Sequence, residues 1–223
     1  MISVQYQDTN CKICNVLLSK KSKTITDQIL VENDYYFAIS SIGGFVPGWT
    51  LIFPKSHKLN LADDYSNKDF LSFTSYVNDV VSSEYGQCVI FEHGANSNGS
   101  DTSCGVNHAH LHIVPFDRNL ELLALQEAPK FIWKQTDITG VSNIVNGEEY
   151  LFCANSYDLD NTRGVISKLV IPQSQFFRKI LAKAIGLNNL YDYKRYKFED
   201  ISINTSENLS KKFLARMPSK PYV

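Results

Sequence analysis

Three of the five histidines in this chain stand at alternate positions in one run, Asn107-His108-Ala109-His110-Leu111-His112-Ile113-Val114-Pro115. Alternation with apolar residues predicts a β-strand, in which successive side chains point to opposite faces. His108, His110 and His112 then share one face, and Ala109, Leu111 and Ile113 pack into the core behind them. Alternate side chains on a strand stand about 6.5–7 Å apart. Imidazole near neutral pH is a nucleophile, a proton donor or acceptor, or a metal ligand. A row of three at this spacing suits gripping and attacking a phosphoryl group. A zinc-binding strand and an ordinary polar face are the other readings, although a polar face normally mixes Ser, Thr, Lys and Glu.

A second constellation lies near the N-terminus. Cys11-Lys12-Ile13-Cys14 has the Cys-x-x-Cys spacing that closes naturally around zinc. The five cysteines are an odd number, and in a reducing compartment disulfides are not expected. Cys88 and Cys153 sit in apolar runs and read as small core residues.

Strands must surround the histidine run to position it. Segments 28–31 and 35–40 read as a hairpin across Glu32-Asn33-Asp34. Residues 41–48 form a Gly/Pro turn region, and 49–53 an apolar strand stopped by Pro54. Phe70, Phe73, Val77, Val80 and Val81 recur at helical spacing, which predicts an amphipathic helix over 68–85 ended by Gly86. A short helix is expected over 15–21 and a strand over 87–91, and the Gly/Ser/Asn loop 92–105 leads into the histidines. Beyond them, 119–127 and 174–185 read as helices, and 149–154 and 165–171 as strands. Asn204 or Thr205 is placed to cap a last helix through Met217, with Glu207 in its first turn. This order gives an α+β class, an antiparallel sheet with a helix packed across it. No low-complexity linker divides the chain, so 119–223 is expected as an α/β C-terminal extension packed on a domain of 1–118.

The chain has 223 residues and a formal net charge of −1, so no global field draws it to nucleic acid or an anionic membrane. The opening residues are polar and lack a signal-peptide core. No apolar stretch approaches the ~18–20 residues needed to span a bilayer. A cytoplasmic location is expected, with neither membrane nor nucleic acid as a partner.

His108-Ala109-His110-Leu111-His112-Ile113-Val114 resembles the signature of the histidine triad (HIT) superfamily, whose members are nucleotide hydrolases and nucleotidyl transferases. Three more segments are similar to that family in the right order. They are Cys11-Lys12-Ile13-Cys14, the hairpin Glu32-Asn33-Asp34-Tyr35-Tyr36-Phe37-Ala38, and Pro47-Gly48-Trp49-Thr50-Leu51-Ile52-Phe53-Pro54-Lys55-Ser56-His57. The last resembles Pro-Gly-His-Thr-Leu-Val-x-Pro-Lys-x-His. The resemblance covers roughly 9–118 and implies a HIT-like catalytic domain over 1–118. It also implies a structural zinc held by Cys11, Cys14, His57 and His108, which would pin the N-terminal segment and fix the tautomer of His108. By the same resemblance His110 attacks the α-phosphorus to form a nucleotidyl-histidine, with its other ring nitrogen held as a donor by a backbone carbonyl. His112 would donate to a phosphate oxygen or help protonate the leaving group.

The loop before the triad departs from the family pattern. Glu92-His93-Gly94 stands where many relatives carry Asn-x-Gly, and Ser103-Cys104-Gly105-Val106 where many carry Gly-Gln-Ser/Thr-Val. The ribose-binding position falls on Ser41. Ser103 and the backbone amides of 104–106, Gly105 included, are candidates to line a phosphate pocket as a nest of N–H groups. Cys104 reads equally as a packing residue. His93 is a leaving-group acid or a loop histidine paired with Glu92. Arg178 is a phosphate contact or a surface helix residue. The expected function is hydrolysis of a nucleoside phosphoanhydride or phosphoramidate through His110. A nucleotidyl transferase or phosphorylase and a non-catalytic nucleotide-binding module are the alternatives. The family's habit of dimerising carries over a homodimer as a candidate assembly.

Overall fold

The structure, a computed structural model, describes residues 8, 10–19 and 27–216. β1 (Val31–Glu32) and β2 (Tyr36–Ser40) form the expected hairpin, with Val31 opposite Ala38. Asn33 closes it, because its side-chain oxygen accepts from the backbone N–H groups of Tyr35 and Tyr36. β3 (Thr50–Pro54), β4 (Cys88–Gly94) and β5 (Leu111–Pro115) follow, and then β6 (Lys134–Asp137), β7 (Tyr150–Ala154) and β8 (Arg163–Lys168). All eight join one antiparallel sheet in the order β1-β2-β3-β5-β4-β7-β8-β6. β4 and β5 are central, and β7, β8 and β6 extend the same sheet beyond β4.

The regular strand of the triad starts at Leu111, later than the alternation suggests. β3 ends at Pro54, which lacks the N–H for a further rung. Upstream, the Ala109 N–H donates instead to Lys58 O at 2.7 Å. The two-sided pattern survives this change, since Ala109, Leu111 and Ile113 all enter the core.

Helices cover both faces of the sheet. α1 (Lys12–Ser19) begins inside the Cys-x-x-Cys turn, earlier than expected, and residues 20 and 21 of that expectation lie outside the described ones. α2 (Lys68–Tyr85) has its predicted bounds, capped by Asn67 and ended at Gly86, where φ is 92°. It buries Phe70, Phe73, Val77, Val80 and Val81 against Ile52, Ile90, Leu111 and Ile113. Each such side chain contributes roughly 1.5–3 kcal/mol relative to exposure. α3 (Leu120–Glu127) packs on the opposite face. α4 (Val141–Val145) joins the α2 side, and α5 (Phe176–Ala184) joins α3.

α6 (Glu199–Arg216) corrects the expectation for the last helix. Glu199 and Asp200 fill its first turn, and Thr205 lies inside it, with its hydroxyl accepting from the Gly48 N–H at 3.0 Å. Met217 lies outside the described residues. β6 and α4 have no counterpart in the sequence reading. β6 reads Lys-Gln-Thr-Asp and is a largely exposed edge strand, so no apolar alternation announces it. No helix among the described residues is long and apolar enough to cross a membrane.

Candidate active site and metal centre

Phe91 on β4 stands opposite His112 on β5, and both face away from α2. Their rings stack at 4.2 Å. The His110 ring lies 4.8 Å from that of His112 and rests on Phe53 at 5.3 Å. Apolar shelves therefore hold both imidazoles over the sheet, between α1 and α5.

Hydrogen bonds fix which nitrogen of each ring carries the proton. His110 Nδ1 donates to the His108 carbonyl at 2.9 Å, so the lone pair sits on Nε2. This is the backbone partner anticipated for a nucleophilic histidine. His112 is set the other way. Trp49 Nε1 can only donate, and it reaches His112 Nδ1 at 3.0 Å, so the His112 proton sits on Nε2. Burial holds His110 below the ordinary imidazole value, with the His108 carbonyl opposing and Arg178 adding to the shift. Burial, then His110, His93 and Arg178, push His112 well below it. Both rings are neutral at neutral pH.

The two histidines border a cleft of about 390 Å³ whose wall includes Ser41, Cys104 and Gly105. Ser103 is not on that wall, because its hydroxyl donates to Ser100 O at 2.7 Å and lies 3.0 Å from Asn107 Oδ1. The Cys104 and Val106 amides donate within the loop, to Asp101 O and Ser103 O, so these two are not offered to a phosphate in this conformation. The Cys104 sulfur packs: it accepts from the Gln175 N–H at 3.1 Å, and burial pushes its thiol up to about 11. His93 is neither a loop residue nor a partner of Glu92. It lies on β4, where adjacent side chains point to opposite faces, and its Nε2 accepts from the Phe177 N–H. Arg178 is not a surface residue either; it is 4% exposed and lines the cleft.

Glu92 points behind the histidines. Its Oε1 accepts from the Leu61 N–H, and its Oε2 from the Tyr65 hydroxyl at 2.7 Å and the Tyr150 hydroxyl at 2.5 Å. Gly94 makes this possible, since a Cβ there would lie 2.2 Å from the Tyr150 ring. Burial raises the Glu92 carboxyl to about 7 against these three hydrogen bonds. The folded state therefore binds an extra proton between 4.5 and about 7, and Glu92's contribution to stability is lost as pH rises through that window. The expected loss is about 3 kcal/mol. Buried histidines act in the opposite direction, so the difference between wild type and Glu92→Gln isolates the carboxyl. Chemical denaturation from pH 4.5 to 8 should show that difference changing with pH. A constant difference would mean that Glu92 does not titrate there.

On the α1 side of the cleft, Cys11, Cys14, His57 and His108 bring their ligand atoms within 4.8 Å of one another. The sulfur–nitrogen separations are 3.4 Å (Cys11 to His108), 3.5 Å (Cys14 to His57) and 3.7 Å (Cys14 to His108). A tetrahedral zinc with ordinary bond lengths needs edges of about 3.5–3.6 Å between thiolate and imidazole ligands. His108 Nε2 donates to Pro54 O at 2.8 Å, which turns the Nδ1 lone pair toward the sulfurs. The Nε2 of His57 lies 4.0 Å from an Asp8 carboxylate oxygen. Burial pushes the Cys14 thiol up to about 11, a cost that a bound cation would reverse. All four predicted ligands thus converge on one point and could hold a metal ion.

Trp49, the partner of His112 Nδ1, is the site residue that the sequence reading passed over. It stands where the resembled Pro-Gly-His-Thr-Leu segment has His, and that replacement was the available signal. Tyr65 and Tyr150, which hold Glu92, carried no local signal because they come from distant elements.

Sheet, histidine row and cleft together define an α+β protein with two histidines of the row on the wall of one cleft. Residues 22–119 match the HIT domain. The match takes in the triad, His57 and Trp49 but not the two cysteines. No curated protein matches the chain. Among solved structures it is similar to a HIT family hydrolase from Clostridium thermocellum, at 22% identity over 50% of this chain and 94% of that one, with a TM-score of 0.38. It is also similar to a Hit-like protein involved in cell-cycle regulation from Bartonella henselae, at 20% identity over 49% and 82%, TM-score 0.38. A histidine triad protein from Clostridium difficile gives 22% over 51% and 96%, TM-score 0.34.

Proposed function

We propose that this protein hydrolyses a nucleoside phosphoanhydride or phosphoramidate through a nucleotidyl-histidine intermediate on His110, next to a structural zinc held by Cys11, Cys14, His57 and His108. The observation that carries the reading is the His110 Nδ1–H bond to the His108 carbonyl, which leaves a neutral Nε2 lone pair at the cleft. In the first step Nε2 bonds to the α-phosphorus and the bond from phosphorus to the leaving group breaks, its electron pair leaving with that group. The His112 Nε2–H donates to a phosphate oxygen or to the departing atom. Water then displaces His110 and yields the nucleoside monophosphate. Ser41 and Gly105 border the cleft as nucleotide contacts. The zinc would supply no step; its ligands tie α1 to the strand end that carries the nucleophile.

Incubation with labelled dinucleotides, nucleotide sugars and phosphoramidates, with and without orthophosphate, tests this reading. A free nucleoside monophosphate is the expected product. A nucleoside diphosphate formed only with orthophosphate would make the protein a phosphorylase, and no product from any substrate would make it a binding module.

The Trp49 bond gives a finer prediction. Trp49→Phe keeps an aromatic ring but removes the donor that sets the His112 tautomer. kcat should fall about 10–100-fold, with KM changed less than about threefold. The His112 imidazole resonances should also change their tautomer signature by NMR. Unchanged kcat with unchanged resonances would show that the bond does not set the tautomer.

A further inference from the structure

The cleft wall carries a buried charge that the chemistry above does not use. Arg178 on α5 donates through Nε to Tyr191 O at 2.9 Å and through Nη2 to Gly43 O. Its guanidinium lies over the rings of Trp49 at 4.7 Å, Phe45 at 5.2 Å and Tyr193 at 5.7 Å. Among the described residues no carboxylate forms an ion pair with it. Two more cations line the wall: Lys12 is paired with Asp27 at 3.5 Å, and Lys197 Nζ lies 5.6 Å from the Tyr193 ring centroid. Asp192 gives its Oδ1 to Gln175 Nε2 and the Lys194 N–H. A buried cation without an ion-paired carboxylate is costly, and carbonyls, ring faces and the more distant Asp192 charge offset only part of that cost. A guanidinium has five N–H groups; the Nη1 pair makes no bond to a described residue.

His93 supplies the independent second observation. It is 7% exposed and lines the same cleft. Its Nε2 is taken by the Phe177 N–H at 3.3 Å, so its proton sits on Nδ1, which is buried without a partner. The buried His93 Nδ1 and the Arg178 Nη1 pair, one neutral and one charged, are thus two donors on the wall of the cleft that holds His110 and His112 with no bond to a described residue. An unsatisfied buried donor such as His93 Nδ1 is rare in a folded protein, and a ligand in the cleft would complete it.

We propose that Arg178 and His93 form an anion subsite that receives the phosphate of the leaving group, which makes nucleoside phosphoanhydrides the substrate class and disfavours phosphoramidates of neutral amines. When the bond from the α-phosphorus to the bridging oxygen breaks, the electron pair and a negative charge pass to the leaving phosphate. A guanidinium fixed by two carbonyls, with its Nη1 pair left to donate, neutralises that charge where it forms. A neutral amine needs a proton instead and gains nothing from a second cation. Arg178 lies outside the HIT match at 22–119, so the segment beyond the HIT domain selects the leaving group. The kinetic consequence rests on His110 as the nucleophile; the binding consequence does not.

The test uses the full chain and two readouts. In the first, inorganic pyrophosphate is titrated into wild type and Arg178→Gln by calorimetry, with expected weakening of about tenfold or more in the variant. Equal affinity in the two proteins overturns the subsite, whatever the fate of the proposed activity. In the second, kcat/KM is compared on a nucleoside diphosphate ester and on a nucleoside phosphoramidate of a neutral amine. Arg178→Gln should lose about 100-fold on the anhydride and less than about threefold on the phosphoramidate. Equal losses on both substrates would mean that Arg178 only holds the Gly43 and Tyr191 loops, and would overturn the proposal while leaving the nucleophile assignment intact. Arg178→Lys, which keeps the charge but not the carbonyl-fixed Nη1 donors, serves if the glutamine variant does not fold, with the same selective loss expected. If wild type cleaves neither substrate, the reading of the reaction fails and the pyrophosphate titration alone decides the subsite.

Discussion

His110→Ala should abolish turnover, by about 10⁵-fold or more, while nucleotide affinity stays within about tenfold, or ~1.4 kcal/mol. The asymmetry follows from when the ring acts. His110 Nε2 forms its bond to phosphorus only in the transition state, whereas the base, the ribose and the remaining phosphate contacts are already made in the ground state. The ring is prepared for that bond: it is neutral through burial, oriented by the His108 carbonyl and supported by the Phe53 ring. Rapid quench of wild type with α-labelled nucleotide should trap an acid-labile, base-stable label on His110. His112→Ala should cost less, about 10²–10⁴-fold, as expected for lost proton donation. Near-normal turnover by His110→Ala on the true substrate would end the nucleotidyl-histidine reading for this chain.

The site was legible in the sequence where it is local and obscure where it is assembled from afar. A period of two puts His110 and His112 on one face without any tertiary information, and the apolar residues between them are in the core as that pattern requires. The helical spacing of α2 and its Asn67 and Gly86 ends gave its bounds for the same reason. His93 was misread because a Gly-rich stretch follows it, and Gly94 looked like the start of a loop. The structure uses that glycine inside β4 to admit the Tyr150 ring. Arg178 was ambiguous because nothing within α5 says that Gly43, Tyr191 and Trp49 surround its side chain. The start of α6 was misplaced because Asn204 and Thr205 look like caps, yet Thr205 turns its hydroxyl to the Gly48 N–H in the Gly/Pro turn before β3. Each miss is a contact between residues far apart in the chain, which periodicity cannot encode.

The same distinction makes the metal centre the second large effect. Protein purified without added metal should contain about one zinc ion per chain by elemental analysis, and Cys14→Ser should contain little. Cys14 is fully buried, and its sulfur lies 3.5 Å from His57 Nδ1 and 3.7 Å from His108 Nδ1. Removing it breaks a closed site while leaving three ligands in an apolar surround, next to Phe37, Ile39 and Phe53. The expected destabilisation is about 3–5 kcal/mol, below the apparent ~10–16 kcal/mol of zinc-finger peptides because α1 also packs through Ile13. A chelator should lower the melting temperature of wild type but not that of Cys14→Ser. Cobalt(II) in place of zinc should give the thiolate charge-transfer band of a tetrahedral site with two sulfurs and two nitrogens. Activity should fall less than stability, yet not stay constant. His108 offers its ring to the metal and its backbone carbonyl to His110 Nδ1, so loosening the first loosens the second. Metal-free protein with the melting temperature of wild type, and no cobalt spectrum, would sink the assignment. Loss of zinc with activity wholly unchanged would leave the metal in place but remove its link to the nucleophile.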